Sequence, residues 1–198
     1  MTQDILTALA AFALVSSITP GPNNLMLMAS GANFGFARTI PHMLGIGIGF
    51  TVMIVLVGTG LMRVFDAFPL TYNILRVVSV VYLLWLAWKI ANASAPDGTA
   101  RTGRPMTFVQ AALFQWVNPK AWTMALTAIT LYAPERSLAA VVLVAAVFGA
   151  INLPSVSVWT VMGQQMRRLL HSPARLTVFN WLMALLLLGS LYPVLFPG

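Results

Sequence analysis

The stretch ILTALAAFALVSSITPGPNNLMLM, residues 5–28, is long enough to cross a membrane but carries two prolines and a glycine near its middle. An apolar run of about 20 residues spans the hydrocarbon core as a helix. The hexapeptide TPGPNN at 19–24 interrupts that helix, because each proline removes a backbone donor and clashes with the preceding turn. The stretch therefore predicts a broken transmembrane helix.

The hexapeptide has a functional and a purely structural interpretation. The restarted helix offers free N–H groups and the positive end of its dipole, which suit an anion such as a substrate carboxylate. We expect Gly21 to allow unusual dihedrals, and Asn23 and Asn24 to cap the restarted helix. A proline kink is the alternative, but five breaker or capping residues in succession favour a functional break. The candidate substrate-binding residues here are Thr19, Pro20, Gly21, Pro22, Asn23 and Asn24.

The composition of the whole chain agrees with a membrane protein. Of its 198 residues, 59% are hydrophobic and 8% are charged, and the mean hydropathy is +0.86. A water-soluble domain is excluded, because so few charges cannot cover its surface. The absence of cysteine excludes disulfides and thiolate metal sites. The net charge of +7 is expected for a membrane protein, because Lys and Arg collect in its cytoplasmic loops. It therefore does not indicate a nucleic-acid partner.

The chain predicts an all-α integral membrane protein with six transmembrane helices. A polar linker at 92–107, expected in the cytoplasm, separates a first half at 1–91 from a second half at 108–198. The predicted spans are Ile5–Met28, Pro41–Met62, Leu70–Ile90, Phe108–Tyr132, Leu138–Val161 and Leu176–Phe196.

Each half contains three spans, so the two halves start on opposite sides of the membrane. This arrangement allows an inverted repeat. The first span of each half carries a helix breaker, at 20–22 and at 118–119. Paired breaks of this kind are the best sequence indication of a transporter site, since irregular backbone at membrane depth must be buried in protein or line a cavity.

The basic residues are unequally divided between the two sides of the membrane. Seven Lys and Arg residues fall on one side and three on the other. The richer side is expected to be cytoplasmic, which places both termini outside the cytoplasm. The cytoplasmic set is Arg38, Lys89, Arg101, Arg104, Arg167, Arg168 and Arg175, and the opposite set is Arg63, Arg76 and Arg136.

The second break, QWVNPK at 115–120, places a lysine near the middle of the fourth predicted span. An ammonium at that depth is costly unless it is paired or hydrated, so Lys120 is a candidate site residue. The alternative is a span shifted in depth, with Lys120 reaching an interface. The candidate binding residues here are Gln115, Asn118, Pro119 and Lys120.

The remaining polar residues limit the chemistry of the site. All carboxylates fall in loops or at span ends, which favours a neutral or zwitterionic substrate over a cation. His42 and His171 lie near span ends and are expected to be surface residues, so we expect no metal site and no cofactor. The carboxylates are Asp4, Asp66, Asp97 and Glu135.

Two glycines of the second span lie four residues apart on one helix face. Gly45 and Gly49 predict close helix packing there rather than substrate contact. A glycine-lined helix can also pair with a second copy of the chain, so a homodimer is a further expectation.

Several segments together carry a family resemblance: TPGPNN at 19–24, the glycine-rich second span, YLLWLAWK at 82–89 and NPK at 118–120. They resemble the lysine-exporter (LysE/RhtB) superfamily of amino-acid effluxers over essentially the whole chain. The segments WLAWKIA at 85–91 and FQWVN at 114–118 are most similar to its cysteine/O-acetylserine branch. The resemblance implies proton-driven export of small amino acids by a multi-pass protein of the bacterial inner membrane.

The expected function is secondary export of small neutral amino acids by alternating access. The substrate would resemble cysteine and O-acetylserine, or threonine and homoserine, and the other partner is the lipid bilayer. An integral-membrane enzyme is one alternative, but no acid, base and nucleophile meet at one depth. An accessory membrane subunit is the other, and it would leave the paired breaks and Lys120 without a purpose.

Overall fold

The computed structural model describes residues 2–61, 67–68, 70–92, 104–133, 137–166, 169–170 and 172–192. Within these ranges the chain is all-helical and has no strand. A π-helical turn, Val57–Leu61, extends the third helix, and a 3-10 turn, Gln115–Val117, follows the fifth. The helices are α1 Gln3–Ile18, α2 Pro22–Phe34, α3 Phe36–Leu56, α4 Leu70–Ala91, α5 Phe108–Phe114, α6 Pro119–Tyr132, α7 Leu138–Met166 and α8 Pro173–Gly189.

Several described helices are long and apolar enough to cross a membrane. Three qualify alone: α3 with its π-helical turn, α4 and α7. The pair α1 and α2 makes a fourth when counted as one span, bent by 53°. The all-helical membrane class thus agrees with the sequence, whereas the count of six spans and the repeat stay predictions.

The second span begins earlier than the sequence predicts. Helix α3 starts at Phe36 and includes Pro41 in its interior, and only Gly35 separates it from α2. Gly35 has a φ of 80°, in the left-handed region that residues other than glycine rarely adopt. This single residue therefore joins two consecutive helices and fixes the short turn between them.

The surface position expected for His42 is wrong. Because α3 begins at Phe36, His42 lies in the second helical turn, and its exposed fraction is only 2%. Gly45, on the same helix face, lies against the Phe108 carbonyl and so brings α5 over this face. Neither ring nitrogen of His42 has a hydrogen-bond partner among the described residues.

The apolar core consists of two larger clusters and one smaller one. One large cluster joins α1, α3, α6 and α7 around Phe148, whose ring meets Phe12 and Phe50 edge-on at 5.9 and 5.5 Å. The other joins α2, α4 and α8, with Leu83 and Leu187 fully buried. Helices α1 and α2 thus belong to different clusters, and the break between them lies at the junction.

Small residues set the closest helix contacts. A Cβ on Gly49 would lie 2.6 Å from the Cα of Ala112, so α3 and α5 approach each other backbone to backbone. Helices α2 and α7 cross in the same way, with Gly31 against the Thr160 carbonyl and Gly163 against the Met28 carbonyl. These contacts hold the two broken stretches against α3 and α7.

Part of the linker and several charges used for the orientation lie outside the described residues. Only Asn92 and residues 104–107 of the linker are described, and Thr107 forms a capping box with Gln110 at the start of α5. The half boundaries and the orientation of the termini stay predictions. The residues outside are Arg63, Asp66, Asp97, Arg101, Glu135, Arg136, Arg167, Arg168 and His171.

Candidate functional site

The first break opens between Ile18 and Pro22, and side chains from elsewhere bind its free carbonyls. The last helical residue of α1 is Ile18, whose carbonyl accepts a hydrogen bond from Trp159 Nε1 at 3.0 Å. Asn24 Nδ2 donates to the carbonyls of Ser17 and Thr19, both at 2.8 Å. A buried helix end must satisfy its carbonyls in some such way, so this break is built into the fold.

The asparagines of the first break do not cap α2, which corrects the sequence-based expectation. The N-cap residue is Gly21, and no side chain caps this helix end. Asn24 instead holds the end of α1, and Asn23 pairs with Gln115. The first-turn N–H groups of α2 are therefore left without a side-chain acceptor, beside the positive end of the helix dipole.

At the second break, as at the first, one helix ends and another begins. Helix α5 ends at Phe114, and the 3-10 turn leads to Asn118, which is extended at φ −93° and ψ 108°. Asn118 caps α6, since its Oδ1 accepts from the backbone N of Lys120 at 3.1 Å. Pro119 occupies the first helical position, where its missing N–H costs nothing.

An amide pair joins the two breaks. Asn23 Nδ2 donates to Gln115 Oε1 at 2.8 Å, and Gln115 Nε2 donates back to Asn23 Oδ1 at 3.2 Å. Gln115 is fully buried and also donates to the Ala111 carbonyl at 2.9 Å. The amide of Gln115 is therefore locked in orientation and fixes the distance between the breaks.

Lys120 makes a second and charged connection. Its Nζ donates to the Thr19 carbonyl at 2.7 Å, to Thr19 Oγ1 at 2.9 Å and to the Pro20 carbonyl at 3.2 Å. Three acceptors match the three protons of an ammonium, and a cation at the C-terminal end of α1 interacts favourably with that helix dipole. The side chain therefore reaches from the second break to the first, and its depth in the membrane stays a prediction.

A glycine is needed at position 21 because of the neighbouring Lys120 side chain, and not because of its own backbone conformation. Its φ of 179° and ψ of 176° are extended, so the unusual dihedrals expected from the sequence are absent. A Cβ at this position would lie 2.5 Å from Lys120 Cδ and 3.1 Å from Lys120 Nζ. Glycine therefore leaves the room that the lysine side chain occupies.

These groups surround a cavity at the junction of α1, α2, α3, the 3-10 turn at Gln115–Val117, α6 and α7. Only about 20 Å³ of it is open to the centres of water molecules, which is room for about one water. Part of its wall is apolar, from Phe50, Met124 and Val156. The predicted site residues that line it are Gly21, Asn23, Asn24, Gln115, Asn118 and Lys120.

The remaining predicted site residues contribute in other ways. Thr19 and Pro20 supply the oxygens that Lys120 binds, and Pro22 and Pro119 begin α2 and α6. The described lining residues include no carboxylate, so Lys120 is the charged group of this cavity. No cluster of metal-ligating side chains is found in the described part of the chain.

The family assignment follows from comparison with known proteins. The model of the LysE type translocator family matches residues 14–190, which is most of the sequence. The chain belongs to the LysE type translocator family. It is an integral membrane protein, and its family consists of translocators rather than enzymes.

Relatives of this translocator support the assignment. An Escherichia coli O1:K1 protein named cysteine/O-acetylserine efflux protein is 28% identical over 189 residues, 94% of this chain and 95% of its own. A Salmonella typhimurium protein of the same name is 33% identical over 132 residues, 67% of each chain. The resemblance to this superfamily and to its cysteine/O-acetylserine branch is confirmed. No solved structure matches the chain.

The translocator has three polar cavity residues that the sequence motifs did not indicate, Ser16, Ser17 and Asn152. Asn152 is the central residue of α7, and its Nδ2 donates to Ser17 Oγ at 3.2 Å. An asparagine in the middle of a 29-residue apolar helix is itself a signal, because uncompensated amides are costly at membrane depth. Asn152 lies outside both helix breaks, so the motifs at 19–24 and 115–120 do not include it. Ser17 gave no signal, because a serine is common in membrane helices.

Proposed function

We propose that this LysE-type translocator exports small neutral amino acids and holds the substrate carboxylate between its two helix breaks. The observation that carries the proposal is the position of Lys120. Its ammonium comes from the second break, binds oxygens of the first, and lies beside the uncapped start of α2. A cation and a free helix N-terminus at one point form a site for an anionic group.

The contacts of Lys120 also suggest how the substrate is exchanged. Without substrate the ammonium is satisfied by neutral oxygens of Thr19 and Pro20. A carboxylate is a stronger acceptor for an ammonium than a carbonyl oxygen. Substrate binding would therefore replace those contacts, release the first break from the second and loosen the connection between them.

Alternating access by rocking of two halves is part of the proposal. The six spans would be α1 with α2, α3, α4, α5 with α6, α7 and α8. Helix α3 of the first half packs on α5, and α7 of the second half packs on α1. In addition, α3 packs on α7 and α4 on α8. An inverted repeat would produce these matched pairs, which supports the proposed architecture.

The substrate class is proposed from the site and from the relatives. The cavity offers one cation and no carboxylate among its described residues, which suits a zwitterion better than a cation. Relatives named for cysteine and O-acetylserine efflux make these two compounds the first candidates. Threonine and homoserine are similar in size and polarity and are the second pair.

Membrane placement and assembly are also proposals. The basic residues favour a bacterial inner-membrane protein with both termini outside the cytoplasm. A homodimer stays a prediction. The glycine-lined face of α3 supports it less than expected, because Gly45 and Gly49 face α5 within the same chain.

Counterflow in proteoliposomes tests the function. Purified protein is reconstituted, and uptake of labelled cysteine, O-acetylserine, threonine, homoserine, lysine and glutamate is measured against a gradient of the same unlabelled compound. We expect signal for one or both neutral pairs and none for lysine or glutamate. Uptake no greater than in protein-free liposomes for every compound would contradict the proposal and favour an enzyme or an accessory subunit.

A further inference from the structure

One buried acceptor in the cavity has no hydrogen-bond partner. Asn152 lines the cavity and is only 5% exposed. Its Nδ2 binds Ser17 Oγ, whereas its Oδ1 is covered and accepts no hydrogen bond from any described residue. A buried carbonyl oxygen without a donor is destabilising, so its presence at a binding cavity needs an explanation.

We propose that Asn152 Oδ1 binds the ammonium group of the substrate, so that the cavity recognises an amino acid by both of its charged groups. The inference rests on the proposed function, in which Lys120 and the start of α2 hold the carboxylate. It adds a residue that neither the sequence motifs nor the helix breaks indicate, and it explains why the carbonyl is left open.

The position of Asn152 relative to Lys120 fits this role. Asn152 is bonded to Ser17 and Lys120 to Thr19, two residues further along. The Cα atoms of Ser17 and Thr19 are therefore at most about 7 Å apart. Asn24 binds the carbonyls of the same two residues and holds them in register. An α-amino acid carries both charged groups on one carbon, so it needs a cation and an acceptor in one cavity, and Lys120 and Asn152 line the same one.

The neutral character of the acceptor determines which substrates fit. A carboxylate in place of Asn152 would pair with Lys120 and cancel the charge of the site, whereas an amide oxygen accepts from an ammonium without doing so. A cationic amino acid would bring a second positive charge near Lys120. Phe50, Met124 and Val156 form the apolar wall against which a small uncharged side chain would pack once the cavity widens to admit substrate. The cavity therefore selects small zwitterions.

The test compares competitors that lack one charged group. Counterflow of labelled L-cysteine, kept reduced by a phosphine, is inhibited with unlabelled L-cysteine or with 3-mercaptopropionate, which is cysteine without its amine. A hydrogen bond to a charged group corresponds to about tenfold or more in affinity. In the wild type we expect 3-mercaptopropionate to be weaker than cysteine by at least about that factor. In Asn152→Leu this preference should fall to within about twofold.

Two further variants separate substrate binding from a structural role. Asn152→Asp keeps an acceptor of the same shape. Its charge should lower the rate of counterflow by pairing with Lys120, but the preference for cysteine over 3-mercaptopropionate is a ratio and should be retained. Asn180→Leu is the matched control, because Asn180 is a fully buried asparagine of α8 that does not line the cavity. It should retain the wild-type preference even if less protein folds, since the readout is a ratio.

Three outcomes would overturn the inference. A wild-type preference in Asn152→Leu would show that the amide serves only Ser17, and a lost preference in Asn152→Asp would exclude binding through the acceptor. An equal loss in Asn180→Leu would mean that any buried asparagine affects the ratio. A separate outcome concerns the proposed function. If threonine or homoserine is transported instead of cysteine, the same comparison is made with that substrate and its analogue without the amine; if none of the four neutral compounds is transported, the proposed function fails and the inference fails with it.

Discussion

At the scale of single residues, the ammonium of Lys120 is the group that joins the two breaks by charge. It satisfies three oxygens of the first break while its backbone begins the helix after the second. An ammonium held in this way is stable without a carboxylate partner, because each of its protons is bonded. In the proposed function the same three N–H donors turn to a substrate carboxylate, so that one side chain would serve both the empty and the substrate-bound site.

Lys120→Met should reduce counterflow of the transported amino acid by at least about tenfold, because it removes a hydrogen bond between charged groups. Lys120→Arg keeps the charge and should retain part of the activity if the side chain binds substrate, but should lose it if the amine must release a proton, since arginine stays charged. Counterflow is normalised to reconstituted protein. Wild-type rates for Lys120→Met across pH would contradict a role in the site.

Gly21→Ala should lower transport without unfolding the protein. The added Cβ meets the flexible end of Lys120, which can move aside, while the extended backbone accepts alanine. The ammonium then loses its position over Thr19 and Pro20. Gly189→Ala is the control, because nothing lies within 4 Å of a Cβ there. Equal transport by both variants at equal expression would show that the position of Lys120 is unimportant.

Single residues also show which features a sequence can reveal. Lys120 and the TPGPNN segment stand out because charges and helix breakers are costly in a membrane and are therefore informative. The partners of Asn23 and Asn24 were not predictable, since an asparagine after a break can equally cap the next helix. Only the fold decides that Asn24 binds the end of α1 and Asn23 binds Gln115.

At the scale of helices, the breaks are held from outside by close crossings. Gly31 and Gly163 bring α2 and α7 into backbone contact in the middle and C-terminal part of α2, the helix that begins at the first break. Their spacing in the sequence shows no pattern, because the two glycines belong to different helices. The pair Gly45 and Gly49 was recognisable in advance, since both lie on one face of one helix. Contacts within a helix can thus be predicted, whereas contacts between helices require the fold.

Gly163→Ala should destabilise the crossing of α2 and α7. The new Cβ would overlap the carbonyl oxygen of Met28, and backbone cannot move aside as a side chain can. Overpacking of this kind costs about 1–3 kcal/mol. We expect a lower melting temperature in detergent, while Gly189→Ala melts like wild type. An unchanged melting temperature for Gly163→Ala would contradict the close crossing.

At the scale of the whole molecule, the orientation in the membrane rests on the unequal distribution of Lys and Arg. The linker at 92–107 contains Arg101 and Arg104 and follows Lys89. All three basic residues are expected on the same side of the membrane. Charge bias of this kind follows from the membrane itself and is independent of packing. It is therefore predictable from sequence, unlike the position of His42, which depends on how α3 packs.

The linker gives a direct test of orientation. The chain has no cysteine, so a single Gly98→Cys substitution can be labelled without background. An impermeant thiol reagent added outside intact cells should leave Gly98→Cys unlabelled and should label it after the cells are opened. Labelling in intact cells would reverse the predicted orientation and place both termini in the cytoplasm.

The central claim is that the substrate occupies the cavity between the two breaks. Met124 is part of the apolar wall of this cavity and makes none of the proposed polar contacts. The decisive measurement is the rate at which a small methanethiosulfonate reagent labels Met124→Cys in proteoliposomes, with Gly98→Cys, in the polar linker, as the control. We expect O-acetyl-L-serine to slow labelling of Met124→Cys several-fold and to leave Gly98→Cys unchanged. Labelling of Met124→Cys at the same rate with and without saturating O-acetyl-L-serine, in protein that still transports it, would place the substrate elsewhere.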